Sequence, residues 1–214
     1  MKIPRTTTLV ASIENCFAVL GAAKRYTPAQ LELGYRVGAA IGKAGKFTLT
    51  GATTGIPHAA AVGAVDHGGF VIGISPATNP SEHVQRYLKP LDSHHFIIYT
   101  GMGNDGRSPL IVRSASVALV IGGEAGTLQE FTSAWLNGTP IIGVLLGSGG
   151  IADELPRLAA SFTTSFGSQI ITASTPEELV AACITQQMGI PHRNKDQPDS
   201  PLLASIAHLR PKII

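Results

Sequence analysis

The sequence predicts an α/β fold: one three-layer domain built on a mainly parallel sheet. Three observations predict it. Short apolar, β-prone runs alternate with segments of helical periodicity from Cys16 to about Gly189. Glycine-rich turns follow several of those runs, as strand-to-helix connections require. The 214 residues, 44% of them hydrophobic, are enough for one sizeable core. The domain is therefore expected to span residues 1–189. Residues 190–214, rich in proline and charge, read as a surface extension with Leu202–Leu209 as their one helical stretch.

Taken in order, Cys16–Leu20 is the first strand, closed by Gly21-Ala22-Ala23. Thr27-Pro28-Ala29-Gln30 is a capping box with proline at the first helical position. That helix runs to about Lys43, with Gly45 as its left-handed cap. Phe47–Thr50 is the second strand. Gly51-Ala52-Thr53-Thr54-Gly55 turns the chain into a small-residue helix that reaches about His67. Phe70–Ile74 is the third strand, and Ser75–Asp92 reads as a long polar connection. Phe96–Tyr99 is the next strand. The His94-His95 pair before it points to opposite faces, which argues against a shared metal.

Thr100–Gly106 reads as a flexible loop that delivers Arg107 to the start of a helix over Ser108–Ser114. A guanidinium there suits two-point contact with a phosphate or carboxylate, or a solvated pairing with Asp105. Arg113, further along, is placed to line a cleft or meet an acidic side chain. Val117–Ile121 is a strand covered on both faces. Gly122, Gly123 and Gly126 then make a tight turn, and Thr127 opens a helix with Leu128, Phe131 and Trp135 on one face. Such a turn offers backbone N–H groups and a positive dipole end, which suit a phosphate. Glu130 leans back toward the turn on the opposite side, where a carboxylate suits a sugar hydroxyl or acid/base chemistry. Pro140–Leu146 is the next strand, Gly147–Gly150 another glycine loop, and Ile151–Phe162 a helix with a potential kink at Pro156. Gln169–Thr172 closes the sheet, and Thr175-Pro176-Glu177-Glu178 caps the last helix.

The run Val117–Glu130 resembles the P-G-G-x-G-T-x-x-E signature of the LOG-like (SLOG superfamily), Rossmann-type proteins once labelled lysine decarboxylases. Aligned on Gly126-Thr127, Gly122 replaces the proline, Gly123 matches the first glycine and Glu124 replaces the second. Ala125 is the free position and Glu130 the motif glutamate. Arg107 stands where the family's hydrolases carry an arginine, and Ser108 where they usually carry lysine. Arg113 in R-S-P-L-I-V-R-S-A-S matches the L-V-R-S-A-D run of the branch that includes molybdenum-cofactor carriers, with Ser116 in place of the aspartate. Gly51–Pro57 is similar to the family's T-G-G-G-x-G-I-M segment, with Ala52 and Thr53 replacing two glycines and Pro57 the methionine.

The resemblance implies a phosphorylated ligand, a nucleotide or the molybdenum cofactor, at Gly21, Thr53, Thr54, Gly55, Arg107 and Gly122–Thr127. No resident cofactor or metal is required. It implies either a carrier or a nucleoside 5′-monophosphate phosphoribohydrolase that splits the N-glycosidic bond, with Arg107 and Glu130 as the catalytic pair. A nucleotide-sensing or DNA-processing module is the weaker third class. A homodimer through flanking helices is also implied, with the face around Phe131 and Trp135 as a contributor.

Charge adds exclusions. The net charge of +2, the absence of any Lys/Arg run longer than two and the scattered aromatics do not predict a nucleic-acid partner. Cys16 and Cys183 sit far apart in apolar contexts, so they read as buried thiols of a reducing compartment, the cytoplasm. The N-terminal residues lack the apolar core of a signal peptide, and no stretch suits a membrane span.

Overall fold

The computed structural model of the protein describes residues 15–163 and 166–189; the expected extension 190–214 lies outside the described residues. The apolar runs become strands β1 (Cys16–Gly21), β2 (Phe47–Thr50), β3 (Phe70–Ser75), β4 (Phe96–Tyr99), β5 (Val117–Ile121), β6 (Ile141–Leu145) and β7 (Gln169–Ala173). The helices between them are α1 (Pro28–Lys43), α2 (Ile56–Asp66), α3 (Pro80–Gln85), α4 (Gly103–Arg113), α5 (Ala125–Leu136), α6 (Leu155–Ala160) and α7 (Pro176–Gly189). The strands form one sheet in the order β4-β3-β2-β1-β5-β6-β7, and every neighbouring pair is parallel. This is a three-layer, Rossmann-like arrangement.

The order explains where a ligand can enter. The chain steps outward from β1 to β4, then returns to the other side of β1 as β5. Loops on either side of that reversal diverge and leave a crevice at the carboxyl ends of the strands. Gly21 pairs in register with Ile121, so the loops that start at Gly21 and Gly122 leave side by side.

Strand alternation divides the core. Phe17, Val19 and Ile121 face α1, α2 and α7, where they meet Val37, Ile41, Ile56 and Leu179. Ala18, Leu20 and Val120 face the other layer, with Ile111, Phe131, Ala134 and Leu155. Leu128 and Trp135 pack against this second cluster, as the helical spacing of α5 predicts. On the first face, α1 and α2 approach very closely. Gly34, Gly38 and Gly42 lie four residues apart along α1, and a Cβ at Gly34 or Gly42 would sit 2.8 or 2.7 Å from the carbonyl oxygen of Ile56 or Ala64. Gly38 has still less room against Ala60, and Gly63 of α2 returns the contact against Tyr35.

Four local expectations need correction. The connection after β3 is not plain loop: Asn79 accepts from the Glu82 N–H at 2.9 Å and caps α3, with Pro80 in its first turn. α4 begins at Gly103, not after Arg107, because burial of Arg107, Ser108, Ile111 and Val112 on one face outweighs the low helix propensity of its glycines. α5 begins at Ala125 rather than at Thr127, with Glu124 in the capping position. The stretch after β6 is a 3₁₀ turn (Gly150–Glu154) followed by α6, where Pro156 lies in the first turn and starts a helix instead of kinking one.

Candidate functional site

The turn after β5 needs its glycines for backbone reasons. Gly122 and Gly123 have φ of +55° and +89°, where a side chain is strained. The Gly122 N–H donates to Ser148 Oγ at 2.9 Å, while the Gly123 carbonyl accepts from the Ile151 N–H at 2.9 Å. Gly147–Gly150 therefore buttresses the turn from behind. Gly126 serves differently: a Cβ there would meet nothing within 4 Å, and the residue lines open space. The first-turn N–H groups of α5 have no intrahelical acceptor, and Glu124 supplies no side-chain cap.

A cleft of about 680 Å³ opens in front of this turn. Of the sequence candidates, Gly21, Thr53, Thr54, Arg107, Glu124, Gly126, Thr127 and Glu130 line it. Gly55, Gly122, Gly123 and Ala125 are not in the lining. Gly55, with φ of +74°, lets the Ile56 N–H reach the Ala22 carbonyl at 2.9 Å. Thr54 Oγ1 donates to the Ala23 carbonyl at 2.7 Å, so its proton ties the loops after β1 and β2 together. Glu124 is exposed and lies 4.0 Å from Arg25, a still more exposed partner. Arg113 is exposed at the end of α4 and does not line the cleft.

The floor is charged and buried. The Arg107 side chain is 7% exposed and its Nη1 stands 3.6 Å from Glu130 Oε1, whose side chain is 14% exposed. The alternative pairing with Asp105 does not form, because α4 turns Arg107 inward toward α5. Gly51 makes this possible: a Cβ there would collide with the guanidinium. Ser108 Oγ donates to the same Glu130 oxygen at 3.3 Å. Burial pushes the Glu130 carboxyl up from its ordinary pKa, against the opposing pull of Arg107, Ser108 and Lys89. Burial lowers the Arg107 pKa, and Glu130 pulls it back up. Arg107 Nε is buried without a hydrogen-bond partner among the described residues.

Sequence reasoning missed three contributors. Lys89 is buried in the floor, with its Nζ donating to Asn104 Oδ1 at 3.0 Å. Burial, and then the nearby Arg107, depress its pKa to about 7, with Lys24 acting in the same direction and Glu130 opposing. Gln30 and Ser148 brace the turn after β5: Gln30 Nε2 donates to the Ser148 carbonyl at 2.8 Å. The Asn79-Pro80-Ser81-Glu82 sequence was a legible signal for α3, but nothing local marks Lys89.

The histidine pair has ordinary protein partners: His94 Nε2 lies 2.9 Å from Thr50 Oγ1, and His95 Nδ1 accepts from the Val71 N–H at 3.1 Å. Among the described residues, no group of three or more His, Cys, Asp or Glu side chains is placed to hold a metal. No described helix is long and apolar enough to cross a membrane.

Comparison with known proteins agrees with this architecture. An uncharacterized protein of Archaeoglobus fulgidus is 31% identical over 156 residues, which are 73% of this chain and 86% of the relative. The structure of a molybdenum cofactor binding protein from the phototrophic bacterium Rippkaea orientalis superposes with a TM-score of 0.63. It is 28% identical, over 82% of this chain and 97% of that one. The Moco carrier protein from Chlamydomonas reinhardtii gives 0.64 at 25% identity, over 81% and 97%. The family model of the SLOG cluster4 family matches residues 15–180, so turn, cleft and charged floor all fall within the match, and the chain belongs to the SLOG cluster4 family.

Proposed function

We propose that the protein binds and carries a phosphorylated small molecule, a nucleotide or the molybdenum cofactor, with a phosphate at the first turn of α5. One observation carries the reading: a buried guanidinium with an unpartnered Nε lines the same cleft as that open turn. A buried donor without an acceptor costs about 1–3 kcal/mol, and an anionic ligand group offsets that cost. The ligands named for the Rippkaea orientalis and Chlamydomonas reinhardtii proteins support the same class of occupant. For the molybdenum cofactor, the residues fit a phosphate at the α5 turn and a second polar end at Arg107. The cationic groups sit at the floor of a cleft rather than over a face, which favours a small molecule over a nucleic acid.

The second reading is phosphoribohydrolase, favoured by the Arg107–Glu130 pair and the raised Glu130 carboxyl, which suits proton transfer. Turnover separates the two. A panel of nucleoside 5′-monophosphates, watched for free base, is expected to give binding without base release. Base release that Glu130→Gln abolishes with binding intact would establish the hydrolase instead.

The carrier is further proposed to act in the cytoplasm, where its two buried thiols, Cys16 and Cys183, stay reduced. It is proposed to pair as a homodimer through the groove of Trp135, Leu136, Phe162 and Phe166; Phe131, expected in that face, is fully buried in the core and does not contribute. Sedimentation of a dimer at micromolar concentration checks this, and a monomer refutes it.

A further inference from the structure

One feature of the cleft has no role yet: a buried lysine whose ammonium meets, among the described residues, a neutral amide as its hydrogen-bond partner. Lys89 is 9% exposed and lies in the floor beside Arg107 and Glu130. Arg107 and Glu130 offset each other, so a protonated Lys89 leaves one positive charge over. Its ammonium has Asn104 Oδ1 at 3.0 Å and the Tyr87 ring centroid at 5.5 Å. An ammonium has three N–H donors, so these contacts leave donor capacity toward the cleft.

The backbone around Lys89 is pinned. Its N–H donates to the His83 carbonyl at 3.2 Å, and His83 Nε2 lies 2.9 Å from the Pro90 carbonyl. A carbonyl only accepts, so Nε2 carries the proton. In the neutral ring that burial favours, Nδ1 then accepts from Ser75 Oγ at 2.8 Å. One fully buried histidine thus ties β3 to the backbone on both sides of Lys89. Leu88, just before it, holds a φ of +51°, a strained conformation for a branched side chain. Such constraints hold a side chain in place before a ligand arrives.

We propose that Lys89 and Arg107 form a second anion subsite, separate from the α5 turn, so that the ligand is held at two anionic groups. Helical rise puts the Cα of Glu130, whose carboxylate pairs with Arg107, about 7–8 Å along the axis from Ala125 in the first turn. The fitting ligand is a small molecule with a phosphate at one end and a second oxyanion or carboxylate across it. The inference rests on the binding reading above and adds the second point of attachment. The charged and titratable groups that act on Lys89 or line the cleft around it are Arg107 and Asp105 of α4, Glu124 and Glu130 at α5, Lys24 after β1, His83 of α3, and Arg86 and Tyr87 of its own segment. Because the free lysine titrates near neutrality, the subsite takes up a proton when an anion binds. Its affinity therefore falls as pH rises through about 7.

The test is calorimetric titration of the full chain, its Lys89→Met variant and its Lys89→Arg variant. Inorganic phosphate at fixed pH counts the sites. Sulfate, which does not titrate in this range, reads the pH dependence from pH 6 to 8.5. The expected result is two phosphate sites in the parent. In Lys89→Met one of them weakens about ten- to a hundredfold, the loss of one charge-assisted hydrogen bond. Lys89→Arg keeps that site and removes its fall in sulfate affinity above pH 7. One site in the parent, unchanged in Lys89→Met, overturns the second subsite and leaves the turn reading standing. A single site that Lys89→Met abolishes keeps the lysine and overturns the turn. No phosphate binding at all sinks both.

Discussion

Along α1, Gly34, Gly38 and Gly42 press their backbone against α2 with no room for a methyl group, whereas Gly126 of α5 faces open space. Both glycine sets sit on helices beside the central strands, on opposite faces of the sheet. The seam is a matter of shape, since backbone carbonyls fill the place a side chain would take. The cleft is hollow at Gly126 and charged beneath it. Glycine content alone therefore does not mark a binding site; what matters is whether anything stands opposite the missing Cβ.

Substitutions can break or sharpen that contrast. The largest effect is expected from Arg107→Met, which leaves Glu130 buried beside only a partial counter-charge. Breaking a buried pair costs about 3–5 kcal/mol, and the residual pull of Lys89 puts the expected loss near the lower end. The sign with pH is defined: the folded Glu130 pKa is raised above its unfolded value, so its penalty is absent at acid pH and grows as pH rises through the folded value. Denaturant unfolding at about pH 4.5 and pH 8 should show a small gap from the parent at the lower pH and the full gap at the higher. An equal gap at both would mean that packing, not charge, holds the floor.

Next comes the seam. Gly38→Ala should cost about 1–3 kcal/mol or more, because its methyl meets the Ala60 backbone and α2 must move. That loss should be the same at both pH values. A neutral result would show that the two helices slide apart cheaply.

Gly126→Ala should be smaller in stability and opposite in sign, a gain of up to about 1 kcal/mol from helix propensity alone. Phosphate titration of the same variant should nevertheless weaken, since the methyl enters the cleft. Unchanged phosphate affinity would remove the α5 turn from the site. The smallest effect is expected at Glu124→Gln. Its contact with Arg25 is long and exposed, so thermal melting should move by no more than the equivalent of about 0.5 kcal/mol.

Much of this was legible in the chain. The capping box at Thr27 forms in both directions, with Gln30 N–H to Thr27 Oγ1 at 3.2 Å and Thr27 N–H to Gln30 Oε1 at 2.9 Å. Gly45 takes its left-handed role with φ of +65°, and every expected strand is present within a residue or two. These are local decisions, made by neighbours in sequence. The meeting of Arg107 with Glu130 was legible only as a shared sheet edge. Its geometry depends on α4 starting a turn early, which tertiary burial decides. Lys89 was not legible at all: no periodicity distinguishes a lysine in a polar connection from one turned inward. The sheet order that sets β3 and its connection against α4 is a long-range outcome.

Gln30 has a consequence for motion. Its side chain closes the cap of α1 and also reaches the Ser148 carbonyl, while the Ser148 hydroxyl accepts the Gly122 N–H. A relay of hydrogen bonds thus runs from the first turn of one helix layer to the glycine turn beside the other. An anion that quiets the turn should lower the opening rate along this relay. Amide hydrogen exchange at Thr27 and Gln30 should then slow on adding phosphate, although neither backbone amide touches the anion.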